Sequence, residues 1–137
     1  MTGGYALARQ RIEFEVVEKV ADEINAALID KKSDKLYILG GSSVTVSHSM
    51  RNVDGYPQYE NHYGKSHFPV VRIGVAIEAH SGMALRPTFC PFNGPGAKSE
   101  LHLIAPLLKR LPEGAKAIAD RYFGCFFYVA ETHLQKS

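Results

Sequence analysis

The segment over 115–131, AKAIADRYFGCFFYVAE, limits what this chain can fold into more than any other stretch. Its first residues, AKAIA, form a short apolar run that predicts a buried strand, and a helix is predicted over roughly 123–135. One carboxylate, Asp120, falls where the strand gives way to the helix, the position at which α/β proteins collect ligand-binding groups. Aspartate at this point also serves as a helix N-cap, so the pattern leaves both roles open.

The N-terminal part of the chain is predicted to be helical, and the part that follows it to be extended. Between residues 8 and 29, apolar side chains recur at alternating spacings of three and four, which aligns them on one face of an α-helix. These side chains are Phe14, Val17, Ala21, Ile24 and Leu28. After a polar break, LYIL and VTVS predict two strands that meet at a bulge or turn around Gly40, Gly41 and Ser42.

The centre of the sequence combines an irregular passage with a hairpin. Residues 48–69 are polar, aromatic and irregular, which predicts a long loop that is functional or mobile. VVRIGVAIEA, at 70–79, is the strongest strand signal in the chain, and HSG turns it into a second strand over about 83–90. Because Pro87 cannot donate a ladder hydrogen bond, we expect this second strand to lie at a sheet edge or to break there.

A further helix is predicted to begin after Ser99, whose hydroxyl can cap it. Its shared apolar face consists of Leu101, Ile104, Leu108 and Leu111. Pro106 should kink this helix or delay its start. The order of elements predicts an α/β fold whose mixed sheet joins antiparallel hairpin strands to one parallel strand, with helices packed on it.

Composition narrows the class of protein without naming a partner. With 137 residues, 45% hydrophobic and 22% charged, the chain fits one globular domain, and its formal charge of +2 makes it only mildly basic. No apolar run approaches the roughly 20 residues that a bilayer requires, so we expect no membrane partner. Cys90 and Cys125 form no CxxC pair and no signal peptide is evident, which predicts buried thiols in a reducing, cytoplasmic compartment. The six histidines form no HxH or HExxH arrangement and are expected to be surface or structural residues.

Basic and aromatic side chains alternate within 48–69. Arg51 and Lys65 lie among tyrosines, histidines and a phenylalanine, the combination found on surfaces that track phosphates and stack on bases. An ordinary ordered loop explains the same composition. Arg121, directly after Asp120, would screen that carboxylate or contact a phosphate. We carry Arg51, Lys65 and Arg121 forward as candidate nucleic-acid-binding residues.

Five segments, in order and covering nearly the whole chain, are similar to the catalytic domain of DDE-type transposases of bacterial insertion sequences. They are GGYALARQRI at 3–12, LYILGGSSVTV at 36–46, HFPVVRIGVAIEAHSGMAL at 67–85, SELHLIAPLLKRL at 99–111 and AIADRYFG at 117–124. The resemblance implies a ribonuclease-H-like fold, in which two acids at the ends of adjacent strands and a third on a later helix hold two divalent ions. Such ions, expected to be Mg²⁺, activate the attacking oxygen and stabilise the leaving oxygen in phosphoryl transfer at DNA.

Matched residue by residue, the resemblance gives this chain one acid of three. Asp120 corresponds to the second acid and is the candidate catalytic and metal-binding residue, whereas Gly40 stands at the position of the first. The third acid belongs to a later segment with tyrosine, arginine, glutamate and lysine, and the sequence ends at Ser137 before one. We therefore assign 1–33 to an N-terminal helical segment and 34–137 to a partial ribonuclease-H-like domain.

The expected function is that of a transposase fragment whose ancestral role was DNA cleavage and strand transfer, and which performs neither reaction. Two alternatives remain open. One is a non-catalytic module that binds the ends of the element or regulates its full-length relative, and the other is a decayed reading frame whose product has no role. An incomplete core also predicts an exposed apolar surface and self-association.

Overall fold

A computed structural model describes residues 3–29 and 35–124 and shows an α/β architecture with a mixed sheet. Its helices are α1 (Gly3–Gln10), α2 (Phe14–Leu28), α3 (Met50–Gly55) and α4 (Glu100–Leu108). Its strands are β1 (Leu36–Thr45), β2 (Gln58–Asn61), β3 (Gly64–Glu78), β4 (Thr88–Pro91) and β5 (Lys116–Ile118). A 3₁₀ turn, Arg121–Phe123, follows β5. The predicted α/β class is confirmed.

Strand β1 lies inside the sheet, between β3 and β5. It pairs antiparallel with β3, where Gly40 faces Val75, and parallel with β5, where Ile38 faces Ile118. On the other side of β3, β2 pairs with the beginning of that long strand and β4 pairs with its middle. The predicted combination of antiparallel strands with one parallel strand is therefore confirmed.

The predicted turn at Gly40, Gly41 and Ser42 is wrong, because β1 runs through all three residues without interruption. Each of them has a partner on β3, and neither glycine adopts a positive φ. The long β3 supplies a continuous ladder, which outweighs the local preference of a glycine pair for a turn. LYIL and VTVS consequently belong to one strand.

Helix α4 packs on one face of the sheet and supplies half of the buried core cluster. Leu39, Ala76, Ile104, Leu107, Leu108 and Phe123 form the buried cluster, against which Leu85, Leu101, Leu111 and Ala119 pack. The predicted apolar face of this helix is therefore confirmed. As predicted, the Ser99 hydroxyl caps α4 by accepting a hydrogen bond from the amide of His102, and Pro106 lies inside the helix.

The passage over 48–69 is ordered, so its description as one irregular loop is wrong. It contains α3, β2 and the beginning of β3. The Gln58 side chain donates hydrogen bonds of 2.8 Å to the carbonyls of Ser66 and His67 across the β2–β3 pair. Such cross-strand bonds join residues eight and nine positions apart, and they leave no periodic signal in the sequence.

The second strand of the predicted hairpin is shorter than expected. A single bridge joins Ala84 to Ile77, and regular pairing resumes only in β4, beginning at Thr88. The interruption ends directly after Pro87, as expected of a residue that has no amide hydrogen to donate. The prediction of a break at this proline is therefore confirmed.

The N-terminal helical prediction holds, but the helix is divided and its exposed side is unexpected. Residues 11–13 separate α1 from α2. The polar side of α2 faces the body, where the Asn25 side chain donates to the Ala84 carbonyl at 2.6 Å. Apolar side chains of α2 are exposed instead, with Phe14 at 62% and Leu28 at 58%. The amphipathic pattern located the helix but not the surface that it buries.

The helix predicted over 123–135 falls almost entirely on residues outside the described ranges, and only its first two positions, in and after the 3₁₀ turn, are described. Within 3–29 and 35–124, none of the helices has the length and apolarity needed to cross a bilayer.

Candidate functional site

Asp120 follows β5, the strand that runs beside β1, with Ala119 between the strand and the carboxylate. The parallel pairing of β1 with β5 joins Leu36 to Lys116 and ends where Ile38 pairs with Ile118. If that register is continued by two residues beyond the end of β5, Asp120 aligns with Gly40. The Asp120 side chain is exposed.

The two glycines of β1 face different surroundings because successive residues of a strand point to opposite faces. A Cβ atom added to Gly40 would have no neighbour within 4 Å, so this face has room for a side chain. A Cβ atom added to Gly41 would lie 3.2 Å from the Cδ of Glu100, which reaches over β1 from the first turn of α4. Glu100 therefore lies on the face opposite to the one that Gly40 presents.

Glu100 is a carboxylate near this site that the sequence did not single out. It lies in the first turn of α4, where a carboxylate interacts favourably with the helix N-terminus. Because it lies on the α4 face, it does not supply the acid that Gly40 lacks. Asp54 is exposed on α3 and is not part of β1 or β5.

The described residues do not fit a two-ion centre. Such a centre needs several carboxylates that converge on both metals. Within 3–29 and 35–124, no group of three histidine, cysteine, aspartate or glutamate side chains is placed to hold a metal ion. With glycine at position 40, Asp120 has no partner carboxylate at the matching position of β1.

Asp120 does not act as a side-chain cap. It precedes the 3₁₀ turn in the N-cap position with an extended backbone, φ −58° and ψ 152°, but its carboxylate accepts no capping hydrogen bond. Its backbone carbonyl accepts from the amide of Phe123 at 2.9 Å. The Asp120 side chain therefore does not cap this 3₁₀ turn, whereas the helix that it was predicted to cap lies almost entirely outside the described residues. Arg121 is exposed beside Asp120.

The other two candidate nucleic-acid-binding residues lie apart from Asp120, on different elements. Arg51 is exposed on α3, and Lys65 is exposed at the start of β3. Lys65 is the cross-strand partner of Glu60, so an opposite charge lies directly beside it. Near them, the rings of His48 and His67 stack with their centroids 5.4 Å apart. The histidine rings of this region therefore pack against protein groups.

A buried carboxylate closes the turn after β3. Glu78, whose side chain is 1% exposed, accepts hydrogen bonds from the Ser81 hydroxyl at 2.6 Å, the Ser81 amide at 2.7 Å and the His80 amide at 3.1 Å. Above all, the Ser81 hydroxyl lowers the pKa of Glu78 to about 2. Burial, and secondarily the charge of Glu78, raises the pKa of Tyr37. These contacts hold the turn over 78–81, and His80 takes part in them through its amide and its ring.

The prediction that both cysteines are buried thiols can be checked for Cys90 only. Cys90 is a buried free thiol, as expected, whereas Cys125 lies outside the described residues.

Comparison with protein-family models, curated proteins and solved structures finds no match for this chain.

Proposed function

We propose that this chain is a ribonuclease-H-like domain related to DDE transposases that binds DNA and has lost the capacity to cut it. The proposal rests on the ordered resemblance of five segments and on the arrangement of the sheet. An antiparallel sheet followed by a helix and a parallel strand is what that resemblance implies. The element order β3, β4, α4 and β5 supports it.

One observation carries the proposal: the β1–β5 register, which ends at Ile38 and Ile118, brings Asp120 level with Gly40 when it is continued by two residues. These are the two positions at which the resemblance puts the first and second acids, although Gly40 lies in the middle of β1 and not at its end. The open space at Gly40 fits the loss of a side chain from this face. With one carboxylate in place of the pair, cleavage and strand transfer are not expected.

Restoring the missing acid tests this proposal. A Gly40→Asp side chain would enter open space and face the Asp120 position, so we expect weak Mn²⁺ or Mg²⁺ binding that the parent chain lacks. The gain should disappear in Gly40→Asp combined with Asp120→Asn. Strand transfer should remain absent, because two carboxylates still leave the third ligand missing. Isothermal titration would measure binding, and a supercoiled-plasmid assay would measure nicking.

Ser42→Asp is the matched control for this experiment. It adds the same carboxylate to the same face of β1, but about 7 Å further along the strand. Equal metal binding by Gly40→Asp and Ser42→Asp would contradict the alignment of Asp120 with Gly40. Efficient strand transfer by Gly40→Asp alone would contradict the proposed loss of the centre.

A purely regulatory module is the second candidate, and the glycine at position 40 favours it over an active enzyme. Such a module would bind the ends of the element and compete with a full-length relative. Binding that weakens steeply with salt, without Mg²⁺-dependent nicking, is the expected result.

Self-association is part of the proposal because apolar side chains are exposed on both α2 and the sheet. Ile38 and Ile118, which face each other across β1 and β5, are 47% and 54% exposed. We expect dimers or larger species in size-exclusion chromatography coupled to light scattering. A concentration-independent monomer would refute this part.

A further inference from the structure

A groove of about 300 Å³ is lined by residues of β4 and α4, at the side of the sheet opposite to β5. The side chains that line it and can carry a charge are all basic: Lys98, His102 and Arg110. Its remaining walls are formed by Pro87, Thr88, Phe89, Leu103 and Pro106. With no carboxylate in its lining, this basic groove is suited to an anionic ligand.

Three basic residues line the groove along and beyond α4. His102 lies in the helix, Lys98 lies two residues before it and Arg110 two residues after it. All three residues are exposed. The groove therefore presents three separate basic groups to a ligand.

Hydrogen bonds position two of these basic residues, Lys98 and His102. The carbonyl of Lys98 accepts a hydrogen bond of 2.8 Å from the guanidinium of Arg72, which fixes the loop that carries the lysine. The Nδ1 atom of His102 lies 2.8 Å from the Ser99 hydroxyl, which orients the ring. Groups that are already positioned lose less conformational entropy when a ligand binds.

Arg110, the third basic residue of the groove, is held by the segment between β3 and β4. Its guanidinium donates a 2.6 Å hydrogen bond to the carbonyl of Arg86. The side chain of Arg86 is paired with Glu18 at 3.3 Å and with Asp22. These pairs direct Glu18 and Asp22 at Arg86, so neither of them neutralises Arg110, whose positive charge remains available to a ligand.

We propose that the basic groove binds the phosphodiester backbone of a nucleic acid. Phosphate oxygens accept hydrogen bonds from lysine and arginine, and a strand of DNA presents a phosphate about every 3.4 Å along its axis. Three basic groups in one groove would therefore contact more than one phosphate of such a strand. The groove is distinct from Asp120 and from Arg51, Lys65 and Arg121, and the inference does not depend on an ancestral metal centre.

Charge-removal variants test the groove through the salt dependence of binding. The probes are a fluorescent 20-base-pair DNA duplex, one of its single strands and the matching RNA strand, with anisotropy measured between 50 and 200 mM NaCl. If Lys98 contacts one duplex phosphate, Lys98→Gln should reduce the slope of log K against log salt by about 0.9, which weakens binding about eightfold at 0.1 M salt. Arg110→Gln should have a similar effect, and Lys19→Gln, on the exposed side of α2, should have none.

Each outcome decides the proposal. Loss of affinity and slope in the groove variants supports it, and the preferred probe among duplex, single strand and RNA identifies the nucleic acid. Unchanged slopes in Lys98→Gln, or no binding by the parent chain to any of the probes, would overturn it. Full displacement of the probe by a few millimolar inorganic phosphate would reduce the groove to a simple anion site, which also overturns it.

Two controls keep this result separate from other failures. Arg110→Gln also removes the hydrogen bond to the Arg86 carbonyl, so its fold must be checked separately. Among the described contacts, Lys98 takes part through its backbone carbonyl and not through its side chain. Thermal melts of each variant would detect a loss of fold. Because the metal titration of Gly40→Asp involves no nucleic acid, it can fail while the groove result stands, and the reverse also holds.

Discussion

Replacing Gly74 with alanine should destabilise the protein, because side chains of β4 and α4 both pack closely against this glycine. A Cβ atom at position 74 would lie 2.6 Å from the Thr88 hydroxyl oxygen and 3.2 Å from the Cγ of Leu103. The same hydroxyl donates a 2.6 Å hydrogen bond to the Leu103 carbonyl, so it cannot move without losing that bond. Thr88 and Leu103 are thus held against the position that the new methyl group would occupy.

The magnitude follows from three contributions. Overpacking costs about 1–3 kcal/mol, and a lost hydrogen bond costs about 1 kcal/mol. The reduced entropy of the unfolded chain returns about 0.4–1 kcal/mol. The net loss is about 2 kcal/mol, which lowers the urea midpoint by about 1 M for a typical dependence on denaturant.

Gly40→Ala is the matched control, since it makes the same change on β1 where no atom lies within 4 Å. It should leave the urea midpoint unchanged or raise it slightly. Equal midpoints for the two alanine variants, measured by circular dichroism, would refute the close approach of α4 at Gly74.

Two further predictions concern charged side chains. Because the folded pKa of Glu78 is about 2, below its usual 4.5, its contribution to stability is complete above pH 4.5 and is lost as the pH falls towards 2. In Glu78→Gln, the urea midpoint should fall less between pH 5 and pH 2 than it does in the parent protein. The same fall in both proteins would contradict the stabilising role of the buried Glu78 carboxylate. Arg86→Ala should release α2 from its pairs with Glu18 and Asp22, at a cost of about 1 kcal/mol for partly exposed ion pairs. Faster hydrogen exchange over 14–28, absent from Lys19→Ala, is the expected signature, and equal exchange in the two variants would contradict it.

Local patterns were sufficient to predict the elements that carry the candidate site. The apolar run before Asp120 predicted β5, and the hydroxyl of Ser99 predicted the start of α4. The prediction that this strand is buried is wrong, because all three residues of β5 are exposed and, among the described strands, only β1 pairs with it. Both signals lie within a few residues, where side-chain chemistry and backbone conformation are directly coupled. The position of Asp120 relative to β1 follows from the same short segments once the two strands pair.

Features that depend on distant pairing were not predictable. Gly40 and Gly41 suggested a turn, but their partners on β3 keep β1 straight. The apolar stripe of α2 suggested burial, yet Asn25 and two acids on its polar side make the contacts that hold the helix. Periodicity shows that a face exists and does not show what lies against it.

The basic groove was missed for the same reason. Lys98, His102 and Arg110 lie in and next to the predicted helix, and that clustering was the available signal. Their common wall, however, is β4, and its position beside α4 depends on pairing with β3. The glycine at position 40 could be noticed from the sequence alone. The empty space beside it became visible only in the structure.

A disulfide between positions 40 and 120 tests the central claim most directly. Adjacent strands lie about 4.8 Å apart, within the Cα separation that a disulfide accepts. With Cys125→Ser as background, Gly40→Cys combined with Asp120→Cys should oxidise readily under mild conditions. Ser42→Cys with Asp120→Cys, offset to about 8 Å, should remain reduced. Preferential oxidation of the 42–120 pair, or none in either, would contradict the alignment of Asp120 with Gly40.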